Sequence, residues 1–150
     1  MPIKSRGLRD YAIILALPGL VTTCAVAAPS EPLLPAGAVA LIAPPVYLEW
    51  QLKTEKCSGL TGDYLAVEWY VVPGVSSFAT DRGPQVGMWT MRHGTHRIIL
   101  AGNYAGHEMV VRHEILHALI GRTGHPDEYF LTRCHLTWES WGPSIANSGR

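Results

Sequence analysis

Two histidines and a glutamate in the second half of the chain have the spacing of a metal site on a helix. His113 and His117 are four residues apart, so on a helix both imidazoles project from one face, about one turn apart. That separation suits two ligands of a tetrahedral zinc ion, whose bonds to histidine nitrogen are about 2.0–2.1 Å long. Glu114 is rotated by about 100° around the helix from His113. Its carboxylate is therefore predicted to take a proton from water at the metal and not to be a ligand.

The spacing of His113 and His117 does not identify the third metal ligand. Gly121 follows the motif and Gly124 permits a sharp turn, so His125 can fold back to the metal, since four residues span up to about 13 Å. We predict that His125 is the third metal ligand. Carboxylates that do not bind the metal could instead accept hydrogen bonds from the outer ring N–H groups of the histidines. The acidic alternatives for the third ligand are Asp127, Glu128 and Glu139.

The run from His113 to His117 resembles the HExxH signature of the zincin metallopeptidases, and its continuation to Gly121 and His125 resembles the extended metzincin motif. The glycine and the third histidine follow His117 by four and eight residues, whereas metzincins place them about three and six residues after it. All four methionines also precede the motif, where metzincins have a Met-turn after it. The resemblance thus implies the zincin helix and its zinc chemistry, and no particular subfamily.

The resemblance also implies how such a site would work. It implies zinc-dependent hydrolysis of peptide bonds with Glu114 as the general base. In the gluzincin plan a later helix supplies a glutamate ligand, a role that Glu139 would fill. In zincins the edge strand before the active-site helix pairs with extended substrate, and residues 96–101 would have that role here.

Strand-like segments precede the motif. Residues 64–72 are rich in β-branched and aromatic side chains and are followed by Pro73, which predicts a buried strand. Residues 86–91 and 96–101 are two further strand-like runs. The four residues between them have the chemistry of a hairpin turn, because Gly94 can take a positive φ.

After residue 101 the apolar residues recur with the spacing of a helix. Val110, Val111, Leu116 and Leu119 predict a helix over residues 107–120, and Gly121 is well placed just past its end. Strands followed by a helix predict an α+β fold. Together with the resemblance, this order implies a small zincin-like domain with a mixed or antiparallel sheet packed on one active-site helix.

The N-terminal residues have the features of an export signal. Basic residues precede an apolar run over residues 12–21, which is too short to span a bilayer, and Ala25-Val26-Ala27 fits a cleavage site. We therefore predict a signal peptide over residues 1–27. An alternative is a lipoprotein signal that ends before Cys24, which would then carry a lipid anchor. Residues 28–45, rich in Pro and Ala, are predicted to be a linker or pro-segment, and residues 46–150 the metallopeptidase domain.

Removal or acylation of Cys24 leaves Cys57 and Cys134 as the two thiols of the mature chain. A pair of cysteines in an exported protein predicts one disulfide. The predicted localisation is therefore extracytoplasmic, secreted or periplasmic.

Bulk composition limits the partners. The 150 residues suit one domain, and the 12 basic residues are balanced by 12 acidic ones, which provides no basic surface for nucleic acid.

The predicted partner is a peptide or protein substrate, and membrane contact is expected only through a lipid on Cys24. The predicted function is that of an exported zinc-dependent peptidase. The alternative is a non-catalytic exported domain in which zinc is structural or the motif is a relic.

Overall fold

The computed structural model of the protein describes residues 33–141. The predicted signal peptide and Cys24 lie outside the described residues, as do residues 28–32 of the predicted linker. The helices and strands are β1 (Val39–Ala40), α1 (Val46–Ser58), β2 (Val67–Val72), β3 (Phe78–Thr80), β4 (Gly83–Gln85), β5 (Gly87–Arg92), β6 (Thr95–Ala101) and α2 (Glu108–Ile120). Short helical turns cover Tyr64–Ala66, Gly102–Tyr104 and Glu128–Arg133.

The strands form a mixed sheet and a separate hairpin. The four-stranded sheet has the order β1-β2-β6-β5, in which β2 and β6 are parallel and the other pairs antiparallel. The second sheet is the hairpin of β3 and β4. With two helices packed on the main sheet, the structure confirms the α+β class and the mixed sheet.

The edge strand differs from the one expected. Residues 96–101 belong to β6, which is hydrogen-bonded to β2 on one side and to β5 on the other. Its main-chain groups are therefore used within the sheet and cannot pair with a peptide. Within the described part of the chain, the strand with an open edge next to α2 is β5. The assignment of residues 96–101 to substrate pairing is wrong for this reason.

The β5–β6 connection follows the predicted turn chemistry. Arg92 and Thr95 pair across a two-residue loop in which His93 and Gly94 have φ values of 48° and 82°. Two consecutive positive φ angles are what a tight hairpin turn requires, because its twist then matches that of the strands. Gly94 takes the conformation predicted for it, and His93 adopts a conformation that few non-glycine residues take.

Helix α1 was not predicted. Its buried residues include Gln51, Thr54 and Ser58, so the apolar residues do not repeat with the helical period that sequence reasoning depends on. Tyr47 of α1 is fully buried beside Trp69 of β2, with ring centroids 4.7 Å apart. Its hydroxyl donates to the carbonyl of Ala105 at 2.6 Å. These contacts fix α1 to the sheet and to the segment that leads into α2.

A disulfide joins α1 to the C-terminal part of the described chain. Cys57 and Cys134 are bonded across a sequence separation of 77 residues, which confirms the predicted pair. Such a bond is typical of proteins in an oxidising, extracytoplasmic compartment. Among residues 33–141, no helix is both long enough and apolar enough to cross a bilayer.

Candidate metal centre

Helix α2 presents the motif as the sequence predicts. It begins at Glu108 and ends at Ile120, and Gly121 has a φ of 69°, the left-handed conformation that glycine adopts most readily. The N–H of Gly121 donates to the carbonyl of His117 at 2.9 Å. This turn reverses the chain after the helix, so that His125 returns towards the helix face that carries the two motif histidines.

Three imidazoles meet at this face. The Nε2 atom of His125 lies 2.9 Å from that of His113 and 3.2 Å from that of His117. The ligand atoms of the three residues all lie within 4.8 Å of one another. Two nitrogens bound to one tetrahedral zinc ion would be separated by about 3.3 Å, given bonds of about 2.05 Å. The three histidines therefore form a group that could hold a metal ion.

Main-chain carbonyls fix the orientation of the two motif histidines. Nδ1 of His113 lies 2.6 Å from the carbonyl oxygen of Leu136, and Nδ1 of His117 lies 2.9 Å from that of Arg122. A carbonyl oxygen only accepts hydrogen bonds, so each Nδ1 must carry the proton. In the neutral rings both Nε2 atoms then present lone pairs towards the same point. This is how outer contacts orient histidine ligands in metal sites.

Burial keeps these imidazoles neutral. Desolvation lowers the pKa of His113 to about 4 and that of His117 to about 4, and for His117 repulsion from His113 adds to the effect. Burial also lowers the pKa of His125. Neutral nitrogens that face one another repel unless a proton or a cation lies between them. Three imidazole ligands fit Zn²⁺, and also copper, iron or nickel, so the three histidines could hold any of these metals and do not specify which one.

The aromatic ring of Phe130 packs against one side of the three histidines. Phe130 is fully buried, and its ring centroid lies 4.8 Å from the centroids of His113, His117 and His125. It shields the three rings from water on one side, which contributes to their low pKa values. Sequence reasoning missed Phe130, because an isolated aromatic residue after the motif carries no spacing signal.

The carboxylates kept as alternatives lie elsewhere. The carboxylate of Glu128 pairs with Arg133 at 2.6 Å, and Asp127 is exposed at the start of the same helical turn. Glu139 lines a cleft next to the histidines, but the group of potential ligands contains only the three histidines. The structure thus favours His125 over each carboxylate as the third ligand.

Glu114 occupies a narrow space between α2 and β5. Its residue is 5 % exposed, and the main-chain N–H of Trp89 donates to its carboxylate. A Cβ atom on Gly87 would lie only 2.6 Å from Oε1 of Glu114, so the carboxylate is accommodated because residue 87 has no side chain. Burial raises the pKa of Glu114 to about 8, and the hydrogen bond from Trp89 partly offsets the rise. Glu114 is not part of the three-histidine group.

Two clefts open on either side of these residues, and His113, Glu114 and His125 line both. The first, the Arg82 cleft, has a volume of about 280 Å³ and includes Thr80, Asp81, Arg82, Thr90 and Thr123 in its walls. The second, the Trp138 cleft, has a volume of about 260 Å³ and includes Val86, Met109, Val110, Trp138 and Glu139. Both clefts therefore border the candidate metal centre.

Comparison with protein families, curated proteins and solved structures finds no match. The interpretation of the site therefore depends on its geometry alone, which is that of three convergent histidines on an α+β fold.

Proposed function

We propose that the protein is an exported zinc-dependent peptidase, in which His113, His117 and His125 hold the metal and Glu114 is the general base. The observation that carries the proposal is the position of Glu114, a buried carboxylate that lies outside the three-histidine group and lines the same two clefts. A structural zinc site is closed by four protein ligands, whereas a catalytic site has three and an open position. Three histidines that open into clefts favour the catalytic arrangement.

A bound zinc ion would supply Lewis acidity, which lowers the pKa of a water molecule and polarises a substrate carbonyl. Glu114 would accept the proton of the attacking water at its carboxylate and pass it to the leaving amine. A positive charge at the histidines would counteract the effect of burial and lower the pKa of Glu114. The side chain would then be ionised and able to accept a proton at neutral pH.

The rest of the site suits an extended peptide. Within residues 33–141 no strand pairs with the outer edge of β5, where the N–H of Trp89 donates to Glu114. A peptide can add to the remaining main-chain groups of such an edge through hydrogen bonds. The disulfide supports export, because such bonds persist in oxidising compartments. A secreted or periplasmic location, with or without a lipid on Cys24, is part of the proposal.

The test is Glu114→Gln, which preserves size and helix but removes the base. Cleavage of a casein-derived peptide mixture should fall by about 10²–10⁴-fold, while zinc content, measured by mass spectrometry of the metal, stays at the wild-type level. Glu108→Gln is the matched control, because it removes a carboxylate from the same helix that pairs with Lys53 and Arg112, away from the histidines. The proposal fails if Glu114→Gln loses zinc, or if the zinc-loaded wild type cleaves nothing that chelation suppresses.

A further inference from the structure

Trp89 contacts both parts of the candidate site, the histidine group and the carboxylate beside it. The main-chain N–H of Trp89 donates to the carboxylate of Glu114. Its indole ring lies nearly parallel to the imidazole of His117, with 18° between the ring planes and 6.4 Å between the ring centroids. The residue is 7 % exposed, so close packing leaves its ring little freedom to rotate. One residue of β5 thus touches His117 through its side chain and Glu114 through its main chain.

A hydrogen bond to the neighbouring strand fixes the indole ring of Trp89. Its Nε1–H donates to Nδ1 of His96 in β6 at 3.0 Å, and the two ring centroids are 5.8 Å apart. Trp89 pairs with Ile98 across the two strands, and His96 pairs with Met91. The two side chains are therefore diagonal neighbours on one face of the sheet. Because an indole nitrogen can only donate, Nδ1 of His96 must be the unprotonated nitrogen that accepts.

The other buried tryptophan of this sheet has no such bond. Trp69 of β2 is 6 % exposed, and its Nε1 has no hydrogen-bond partner among residues 33–141. Its ring packs against Tyr47 and Tyr64. The fold thus accommodates a buried indole by packing alone. The hydrogen bond from Trp89 to His96 is an additional constraint, which sets the direction of the ring beside His117.

The orientation of His117 depends on three neighbours. The carbonyl of Arg122 accepts from its Nδ1, and the rings of Phe130 and Trp89 lie next to its own ring. A single hydrogen bond at Nδ1 fixes one atom of the imidazole but leaves its plane free to tilt. The two aromatic rings limit this tilt through packing. Since Nε2 of His117 faces His125, a tilt would move the lone pair that is directed at the candidate metal site.

We propose that Trp89 is a positioning residue, which holds the imidazole of His117 and the carboxylate of Glu114 in one arrangement, and that His96 fixes its indole ring. The part that concerns catalysis rests on the proposed peptidase function, whereas the part that concerns His117 rests on the candidate metal site alone. Residues that orient metal ligands typically change metal affinity or activity by about 10–100-fold. We expect effects at the lower end of this range, because variants of Trp89 or His96 retain the three histidines and Glu114.

The first test compares His96→Leu with His96→Asn in the zinc-loaded full chain. The two new side chains have the same size and branching, but only the amide oxygen of Asn can accept from the indole N–H in place of Nδ1. His96→Leu should lower kcat about tenfold for a casein-derived peptide that the wild type cleaves, with KM changed by about twofold or less. His96→Asn should restore kcat to within about twofold of wild type.

Binding of Co²⁺ provides a measurement that needs no activity. The visible absorption bands of bound Co²⁺ depend on the geometry of its ligands, so the full chain loaded with Co²⁺ reports the orientation of His117. Trp89→Phe and His96→Leu should both shift these bands while Co²⁺ remains bound. Trp69→Phe is the matched control, because it makes the same change at a buried tryptophan whose Nε1 has no partner in the described part of the chain. Its spectrum and its kcat should match those of the wild type.

Several outcomes would overturn the inference. An unchanged kcat and an unchanged Co²⁺ spectrum in both Trp89→Phe and His96→Leu would refute it and leave the peptidase proposal standing. Equal losses in His96→Leu and His96→Asn would show that the hydrogen bond is not responsible, and a similar loss in Trp69→Phe would indicate a general effect on the core. If chelation suppresses no cleavage, the peptidase proposal and the positioning of the base both fail, and the Co²⁺ spectra decide the contact with His117. If the wild type binds no Co²⁺, that contact has no role at a metal.

Discussion

Helices α1 and α2 have the same length and the same kind of ending, but their buried polar side chains differ in function. Each has 13 residues and is followed by a glycine in the left-handed conformation. On α1, the amide of Gln51 donates to the carbonyl of Gly62 at 3.0 Å, and the hydroxyl of Thr54 donates to that of Trp50 at 2.7 Å. These groups complete their hydrogen bonding inside the fold, as structural polar residues do.

On α2 the corresponding groups face a cleft. His113 and His117 direct their Nε2 atoms at His125, and Glu114 lies beside them with a raised pKa. Arg112 is the exception on this helix, because it pairs with Glu108 and donates to Thr54 at 3.2 Å. Burial of a polar group therefore does not by itself indicate function. What distinguishes the two sets is where their partners lie. Gln51 and Thr54 donate to main-chain carbonyls inside the fold, whereas the Nε2 atoms of His113 and His117 meet another imidazole at the wall of a cleft.

The largest expected effect is loss of the proposed metal ion from the three histidines. His117→Ala should lose zinc and reduce cleavage at least 10³-fold, because two remaining ligands bind far more weakly than three. Gln51→Met, the matched change on α1, should cost about 1–2 kcal/mol of unfolding free energy by leaving buried partners unsatisfied. It should retain zinc and cleavage. Metal analysis, activity and urea denaturation of the two variants check the contrast, and loss of zinc from Gln51→Met would remove the proposed distinction.

The second prediction concerns the bond that joins α1 to the chain beyond Phe130. Replacing Cys57 and Cys134 together by serine should lower the unfolding free energy by about 4 kcal/mol in the chain-entropy model, since the bond closes a loop of 77 residues. Zinc affinity should fall less, by about tenfold or below, because the histidine spacing on α2 is unchanged. Urea denaturation and zinc titration measure the two effects. Recovery of both cysteines as free thiols from the exported protein would contradict the bond.

The third prediction tests how β5 positions Glu114, the proposed base. Gly87→Ala introduces a methyl group 2.6 Å from Oε1 of Glu114, which must displace the carboxylate. We expect kcat to fall by about 10–100-fold, with KM and zinc content close to wild type. Gly106→Ala is the control, because nothing lies within 4 Å of a Cβ added there. Equal activity of the two variants would show that the position of Glu114 is not critical.

The smallest effect is the pH dependence of the metal-free protein. Burial raises the pKa of Glu114 to about 8 from its ordinary value of 4.5, so between these pH values the folded state retains a proton that the unfolded state has released. Stability contributed by this proton is present below pH 4.5 and is lost as the pH rises towards 8. Glu114→Gln has no such proton. The variant should therefore gain about 1–3 kcal/mol relative to wild type between pH 5 and pH 8.

Urea denaturation after chelation measures this difference. The histidines contribute to both proteins, so the difference between the two pH profiles isolates Glu114. Parallel profiles would mean that Glu114 is ionised and solvated in the metal-free fold.

The sequence was sufficient to predict the elements whose apolar residues recur with a regular period, and the hairpin turn whose backbone conformation favours glycine. Strands β5 and β6, the turn at Gly94 and the motif helix ending before Gly121 all lie within a residue or so of their predicted positions. Helix α1 was missed because buried Gln51 and Thr54 interrupt its apolar period. The partners that make these side chains tolerable inside the fold are visible only in three dimensions.

The sequence alone was enough to predict the motif chemistry, because a spacing of four residues on a helix places His113 and His117 on one face whatever surrounds them. It left the third ligand open between His125 and three carboxylates, because the return of the chain after Gly121 depends on tertiary contacts. Only the tertiary structure brought His125 to the other two histidines, and only it made β5 the edge strand. Sheet order depends on which strands share main-chain hydrogen bonds, which no local pattern in this chain records.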